Sequence, residues 1–247
     1  MSDLQCGYIN SKYRHTDLFK WIVAVQALII CSLLVGLGNW QLQRANEKEQ
    51  LLMKFSNAQT KQSISDDQIH RFDKIELSGT LMTHRFFLLD NRTWQGKVGY
   101  ELIAALQPDS GKSLQLVSLG WLAATSDRNQ LPSIVIPDNQ FNFTAYADHP
   151  SQPLLLTADR WAEGWPKRIQ QVDLKKIAVA LNTPASAWLF RPVSPPLQEL
   201  TLTWKPVVLP PERHIGYAVQ WFGLAVAWLI CSMVLAWKMF INKEATS

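Results

Sequence analysis

Cysteine is nearly absent from this chain: three in 247 residues, Cys6, Cys31 and Cys231, and none between 41 and 213. That excludes a disulfide framework and any CxxC metal or redox motif from the long middle stretch. An oxidising compartment is permitted and not required. An excess of one charge is lacking too. Residues 41–213 hold 19 Lys+Arg against 17 Asp+Glu. The net charge of +4 and the pI near 9.0 therefore mark no clustered basic face, and no nucleic-acid partner is expected. Catalytic motifs are missing as well: there is no G-x-S-x-G elbow, no Walker loop, no G-x-G-x-x-G and no H-E-x-x-H. His70, His84 and His149 stand in polar contexts where surface histidines are the ordinary case. The carboxylates are not paired for acid–base work. No enzyme is expected.

Charge is also missing from two long stretches, and there the absence is informative. Residues 21–43 lie between Lys20 and Arg44, and residues 215–237 between His214 and Lys238; neither run contains Asp, Glu, Lys or Arg. A 23-residue helix is about 35 Å long, enough for a bilayer core of about 30 Å. The expected layout is 1–20 as a tail, 21–43 and 215–237 as transmembrane helices, 44–213 as one extramembrane domain, and 238–247 as a second tail. No small-x-small cleavage site follows the first run, so it is expected to stay as an anchor. The first 20 residues carry Asp3, Asp17 and a single Arg, which favours a bacterial chain over a mitochondrial transit peptide. Basic residues in the tails (Lys12, Arg14, Lys20, Lys238, Lys243) place both ends in the cytoplasm. The expected localisation is the bacterial inner (plasma) membrane, multi-pass, with the large domain periplasmic.

Within the domain, residues 42–62 predict a helical stalk, closed by 66–70. Alternation over 72–77 predicts a strand that Gly79 interrupts, followed by a short apolar run at 85–89 and a turn at Asp90-Asn91-Arg92. Residues 99–106 and 113–122 predict two strands joined by the loop 108–111. A further strand is expected at 141–146, and a helix over 173–181 with Asp173 as N-cap. Strands are expected at 187–190 and 200–204. The fold class is thus two transmembrane α-helices flanking an α+β domain, with a mainly antiparallel sheet or small open barrel.

Counting depth along antiparallel spans places Gly36 and Ser32 level with Gly223 and Ala227, small residues that let helix backbones approach. The same count places Trp40 near Tyr217 and His214. The outer boundary then gathers Trp40, Gln41, Arg44, Arg213, His214, Tyr217, Gln220 and Trp221. His214, Tyr217 and Trp221 follow i, i+3, i+7 spacing, and Gln220 is a polar group inside the span that needs a partner. An imidazole at such a boundary can ligate haem iron, with aromatics against the macrocycle and an arginine beside its propionates. Trp, Tyr, Arg and His also form ordinary interfacial belts, and that reading stays open.

Five segments carry a resemblance: residues 36–44 (GLGNWQLQR); Gly79 with 89–92 (LDNR) and 96–100 (GKVGY); 116–122 (LVSLGWL); 165–168 (WPKR) with 172–174 (VDL); and 214–222 (HIGYAVQWF). In these the chain resembles the Surfeit locus protein 1 family of cytochrome c oxidase assembly factors, in its bacterial form, from about Phe19 to Trp237. Two departures mark a divergent member: Leu119 where the family usually has Arg, and Glu212-Arg213 where two Asn are common. The resemblance implies a non-enzymatic helper that assists formation of the haem a centre of subunit I. Its implied partners are cytochrome c oxidase subunit I, other oxidase assembly factors and the lipid bilayer. It implies haem a as cofactor, His214 as metal ligand, Trp40, Tyr217, Trp221 and Gln220 around it, and Arg44 or Arg213 near the propionates. A subunit scaffold without haem, or a membrane-anchored periplasmic sensor, are the alternatives.

Overall fold

The computed structural model describes residues 2–62, 66–109, 111, 113–127, 130–150 and 159–244, with side chains described from 21 to 238 within those ranges. Ser110 of the expected 108–111 loop lies outside the described residues, as do the side chains of Lys12, Arg14, Lys20 and Lys243 in the tails. In chain order the elements are α1 (Ser2–Ser56), β1 (Thr60–Lys61), a 3-10 turn (Asp66–Gln68), β2 (Lys74–Trp94), β3 (Lys97–Pro108), β4 (Leu114–Ala123), β5 (Gln140–Asp148), β6 (Lys167–Ile169), α2 (Leu174–Leu181), β7 (Ala185–Pro192) and α3 (Pro211–Glu244). They fall into two units: Met1–Met53 with Val207–Ser247, and Lys54–Pro206.

The first unit holds two helices, over Trp21–Ser56 and Pro211–Lys238, long and apolar enough to cross a membrane. Each presents a seam with alternating spacings of four and three. On α1, Gly38 and Ala45 are buried, with Leu34, Gln41 and Lys48 half-buried between and beside them. On α3, His214, Ala218 and Ala225 are buried, with Trp221 and Trp228 half-buried. That alternation keeps one stripe turned to the partner helix. Trp228 Nε1 donates to the Ala27 carbonyl at 3.1 Å, and a Cβ on Gly38 would lie 2.6 Å from the Phe222 ring. The pairing of late α3 with early α1 makes the helices antiparallel.

The expected small-residue seam is not where they meet. Gly36 and Gly223 have open space where a Cβ would stand, and Ser32 and Ala227 are exposed. Phe222 and Trp228 fill the seam instead, and their rings hold the backbones apart. Helix α1 also stops at Ser56, six residues before the expected end of the stalk. The chain must be extended by Thr60–Lys61, because these pair in parallel with Lys74 and Ile75.

The second unit is a mixed, mostly antiparallel sheet in the order β1-β2-β3-β4-β7-β5. Strand β5 also pairs with the first part of β2, from Lys74↔Tyr146 to Thr80↔Gln140, so the sheet curls back toward its own start. Leu102 to Leu106 of β3 are all fully buried. A strand buried on both faces explains why this run is continuously apolar. Leu102, Ala104 and Leu106 join a core with Leu81, Leu88 and Phe190. Ile103 and Ala105 face a second core with Phe87, Leu116 and the Ile177 and Leu181 side chains of α2.

Three expectations in this unit need correction. Gly79 does not interrupt a strand: it sits inside β2, opposite Pro108 on one side and Phe141 on the other. Asp90-Asn91-Arg92 is not a turn but a register shift within β2, with Asn91 at φ 57°. The reversal comes at Gln95-Gly96, both at positive φ, between Trp94 and its partner Lys97. Two such residues give the primed turn that matches strand twist. Residues 200–204 form no strand; Thr201 makes a single bridge to Trp121.

Helix α2 starts where its cap predicts. Asp173 is extended, and its Oδ1 accepts from the Lys176 N–H at 3.1 Å. Asn182 closes the helix in the left-handed conformation. Asp173→Ala is expected to lower stability by about 1 kcal/mol. Denaturant midpoints of the two chains measure it; identical midpoints would remove the cap from the account.

Candidate functional site

Helix α3 brings His214 inward. The side chain is 7% exposed, and its Nδ1 lies 2.7 Å from Gln41 Oε1 on α1. An amide oxygen accepts, so Nδ1 is the donor of this bond and Nε2 is the nitrogen it leaves free. That nitrogen has no hydrogen-bond partner among the described residues. An imidazole fixed through one nitrogen with the other unprotonated is the usual state of a metal ligand. Gln41 stood in the expected boundary group without a role; the structure gives it one.

The other expected residues divide. Trp221 lies two turns from His214 along the same seam and is half-buried. Tyr217 (45% exposed) and Trp40 (50%) point outward instead of closing over the imidazole. Three residues turn a helix to within about 60° of the start and seven to within about 20°, so Trp221 follows the buried His214 seam while Tyr217 lies at its exposed edge. Gln220 is exposed on the apolar span, without a partner among the described residues. Arg44 is held by Glu47 one turn on, at 2.6 Å. Arg213 is exposed and only its backbone is engaged, with Pro210. Among the described residues no three His, Cys, Asp or Glu side chains group to hold a bare metal ion. A haem supplies four nitrogens of its own and needs only an axial donor. The donor set of this unit, one imidazole oriented by Gln41, fits that demand.

The sheet unit carries a feature that sequence reasoning missed. Arg191 on β7 reaches Glu101 on β3 at 2.6 Å and Asp148 on β5 at 3.3 Å. Arg92 on β2 lies 3.3 Å from Glu101, and Arg71 lies 2.8 Å from Asp148. Ser118 on β4 donates its hydroxyl to Glu101. Every long strand of the sheet thus contributes a group to one cluster. Burial alone raises the Glu101 pKa, but the Arg191 charge, the Ser118 hydrogen bond and Arg92 outweigh it, and the net position is below the ordinary value. No spacing rule joins residues 101, 118, 148 and 191, so only the fold reveals them. His70, His84 and His149 are exposed, as surface histidines should be. Leu119 is fully buried in the apolar core and takes no part in the cluster.

The SURF1 family profile matches residues 28–226. A SURF1-like protein of Rickettsia felis is 23% identical over 222 residues, covering 84% of this chain and 93% of its own length. A SURF1-like protein of Dictyostelium discoideum is 29% identical over 109 residues, covering 38% of this chain and 40% of its own.

Proposed function

Because the chain belongs to the SURF1 family, a family of oxidase assembly factors and not of catalysts, we propose that it assists formation of the haem a centre in subunit I of cytochrome c oxidase, with His214 as the residue that would hold haem a. The carrying observation is the His214–Gln41 hydrogen bond at 2.7 Å, which leaves Nε2 as the available donor. Trp221 lies on the same seam two turns further along α3. Trp40 and Tyr217 are exposed on neighbouring turns and would pack on a macrocycle brought in from outside the helix pair. Arg213, exposed and with its guanidinium unengaged among the described residues, is better placed to meet a propionate than Arg44, whose partner is Glu47. Bound haem would supply an iron centre awaiting delivery; this chain's own part is to hold, orient and shield it. In this reading the chain sits in a bacterial inner membrane, with 21–43 and 215–237 spanning it, the tails cytoplasmic and residues 44–213 periplasmic, beside subunit I and other assembly factors.

The test is purification from cells that make haem a, followed by absorption spectra. His214→Ala is expected to lose the bound haem. Gln41→Ala keeps the ligand and frees its ring, and is expected to weaken haem retention about 10- to 100-fold. Equal haem in the parent and His214→Ala would remove His214 from the mechanism. An assembled oxidase with full haem but missing subunits in a strain lacking the gene would favour a scaffold role instead.

A further inference from the structure

The sheet unit contains a cavity of about 270 Å³ that the haem reading leaves unused. Its wall is aromatic. Phe55 stacks on Tyr146 with ring centroids 4.1 Å apart, and Trp204 stands 5.9 Å from Phe55 and 6.5 Å from Tyr146. Its floor is Arg191 with Glu101 and Ser118. The guanidinium lies 5.1 Å from the centre of the Trp204 ring and is only 11% exposed.

The hydrogen-bond accounting shows what this floor has to offer. Glu101 Oε1 already accepts from Ser118 and Arg191, and Oε2 faces Arg92. Asp148 is shared by Arg71 and Arg191. Arg191 uses Nε and Nη1, and its Nη2 has no partner among the described residues. The unused capacity is therefore a donor. Three arginines face two carboxylates, so the cluster carries one positive charge in excess. A guanidinium held rigid by two carboxylates and stacked on an indole is organised to receive a planar anion. The size is restrictive too. The cavity falls below the range of about 300–1,000 Å³ typical of sites for drug-sized ligands, which suits one aromatic ring system and no macrocycle.

We propose that this cavity binds an aromatic carboxylate, its ring against Phe55, Tyr146 and Trp204 and its carboxylate on Arg191 Nη2. Two sources share that chemistry: a free aromatic acid, and the carboxyl terminus of a polypeptide ending in an aromatic residue. The site shares no residue with the imidazole site of the helix pair, so a chain that fails to bind haem still tests it.

The test uses the full chain in detergent, titrated with indole-3-propionate by calorimetry. Binding is expected with Kd on the order of 1 mM or tighter, and about ten-fold weaker for indole-3-propionamide, which has the same shape and no charge. Trp204→Ala removes a wall from a segment outside the strands and is expected to weaken the acid about ten-fold in a chain that still melts cooperatively, at a lower midpoint because the ring contacts are lost. Arg191→Lys is expected to weaken it similarly; should that chain fold poorly, the amide comparison and Trp204→Ala carry the test. Gly-Gly-Trp with a free carboxylate is the second arm. Tighter binding than indole-3-propionate assigns the site to a polypeptide terminus, and weaker binding to a free acid. No binding of either acid, or equal binding of acid and amide, overturns the proposal.

Discussion

An Arg191→Leu chain is expected to lose about 3–5 kcal/mol of folding stability at neutral pH, because one substitution strands two buried carboxylates. Glu101 and Asp148 keep only 11% and 5% of their side-chain surface. The arginines that remain beside them, Arg92 and Arg71, are 43% and 51% exposed, so their charges are better screened by water. The pH dependence gives the sharper check. In the parent chain the Glu101 pKa is lowered: burial pushes it up, but Arg191 first, then Ser118 and Arg92, pull it further down. A lowered folded-state pKa contributes stability that is present above the unfolded value near 4.5 and is lost as pH falls through the folded value. With Arg191 gone the largest downward cause disappears, and the carboxyl pKa rises in the direction burial pushes it. The variant is then penalised at neutral pH and relieved by acid. The stability gap between the two chains should be widest near neutrality and narrow below about pH 4.5. Guanidinium unfolding followed by tryptophan fluorescence, at pH 7 and pH 4, measures it; a gap of the same size at both would mean that the cluster holds no linked charge.

Gly79→Val is expected to cost more than about 3 kcal/mol, or to prevent accumulation of folded chain altogether. A Cβ at this position would lie 2.1 Å from the Gln107 carbonyl oxygen and 2.9 Å from Pro108 Cα. Both are backbone, and no side-chain rotation relieves them. Gly79 also stands where β2 is paired on both sides, with β3 and β5, so moving either neighbour breaks a ladder. Gly96 provides the contrast. It has positive φ but open space around it, so Gly96→Ala should cost only about 1 kcal/mol. Folded yield and denaturant midpoints compare the two; similar values would show that β2 and β3 tolerate separation at Gly79.

The difference between these glycines also shows where sequence reasoning stopped. The two apolar helices, the Asp173 cap and the β3–β4 hairpin were legible because each is signalled within a few neighbouring residues. Gly79 was read as a breaker because a missing side chain looks alike whether it ends a strand or admits a neighbouring backbone. Asp90-Asn91-Arg92 has turn composition but serves as a bulge, since the ladder resumes at Arg92↔Gly99. On the helices, depth counting brought the right heights together but not the right faces. It paired Gly36 with Gly223, whereas the rings of Phe222 and Trp228 set the seam. It also placed Gln41 at the depth of His214 without revealing their bond, because rotation about a helix axis is set by all the seam contacts at once. The Arg191 cluster joins hydrogen-bonded partners up to 90 residues apart, a distance no local pattern spans.

One property of the sheet reaches beyond folding. Each long strand, β2 to β5 and β7, has a neighbour on both sides, and the strands left with a free flank are β1, of two residues, and β6, of three. Among the described residues only short lengths of the long strands, such as Phe141–Phe143 of β5, are paired on one side alone, so an incoming extended peptide finds a short rail to zip onto. Whatever this module recognises must be told apart by side-chain chemistry, and neighbouring copies crowded together have scant opportunity to stitch into fibres.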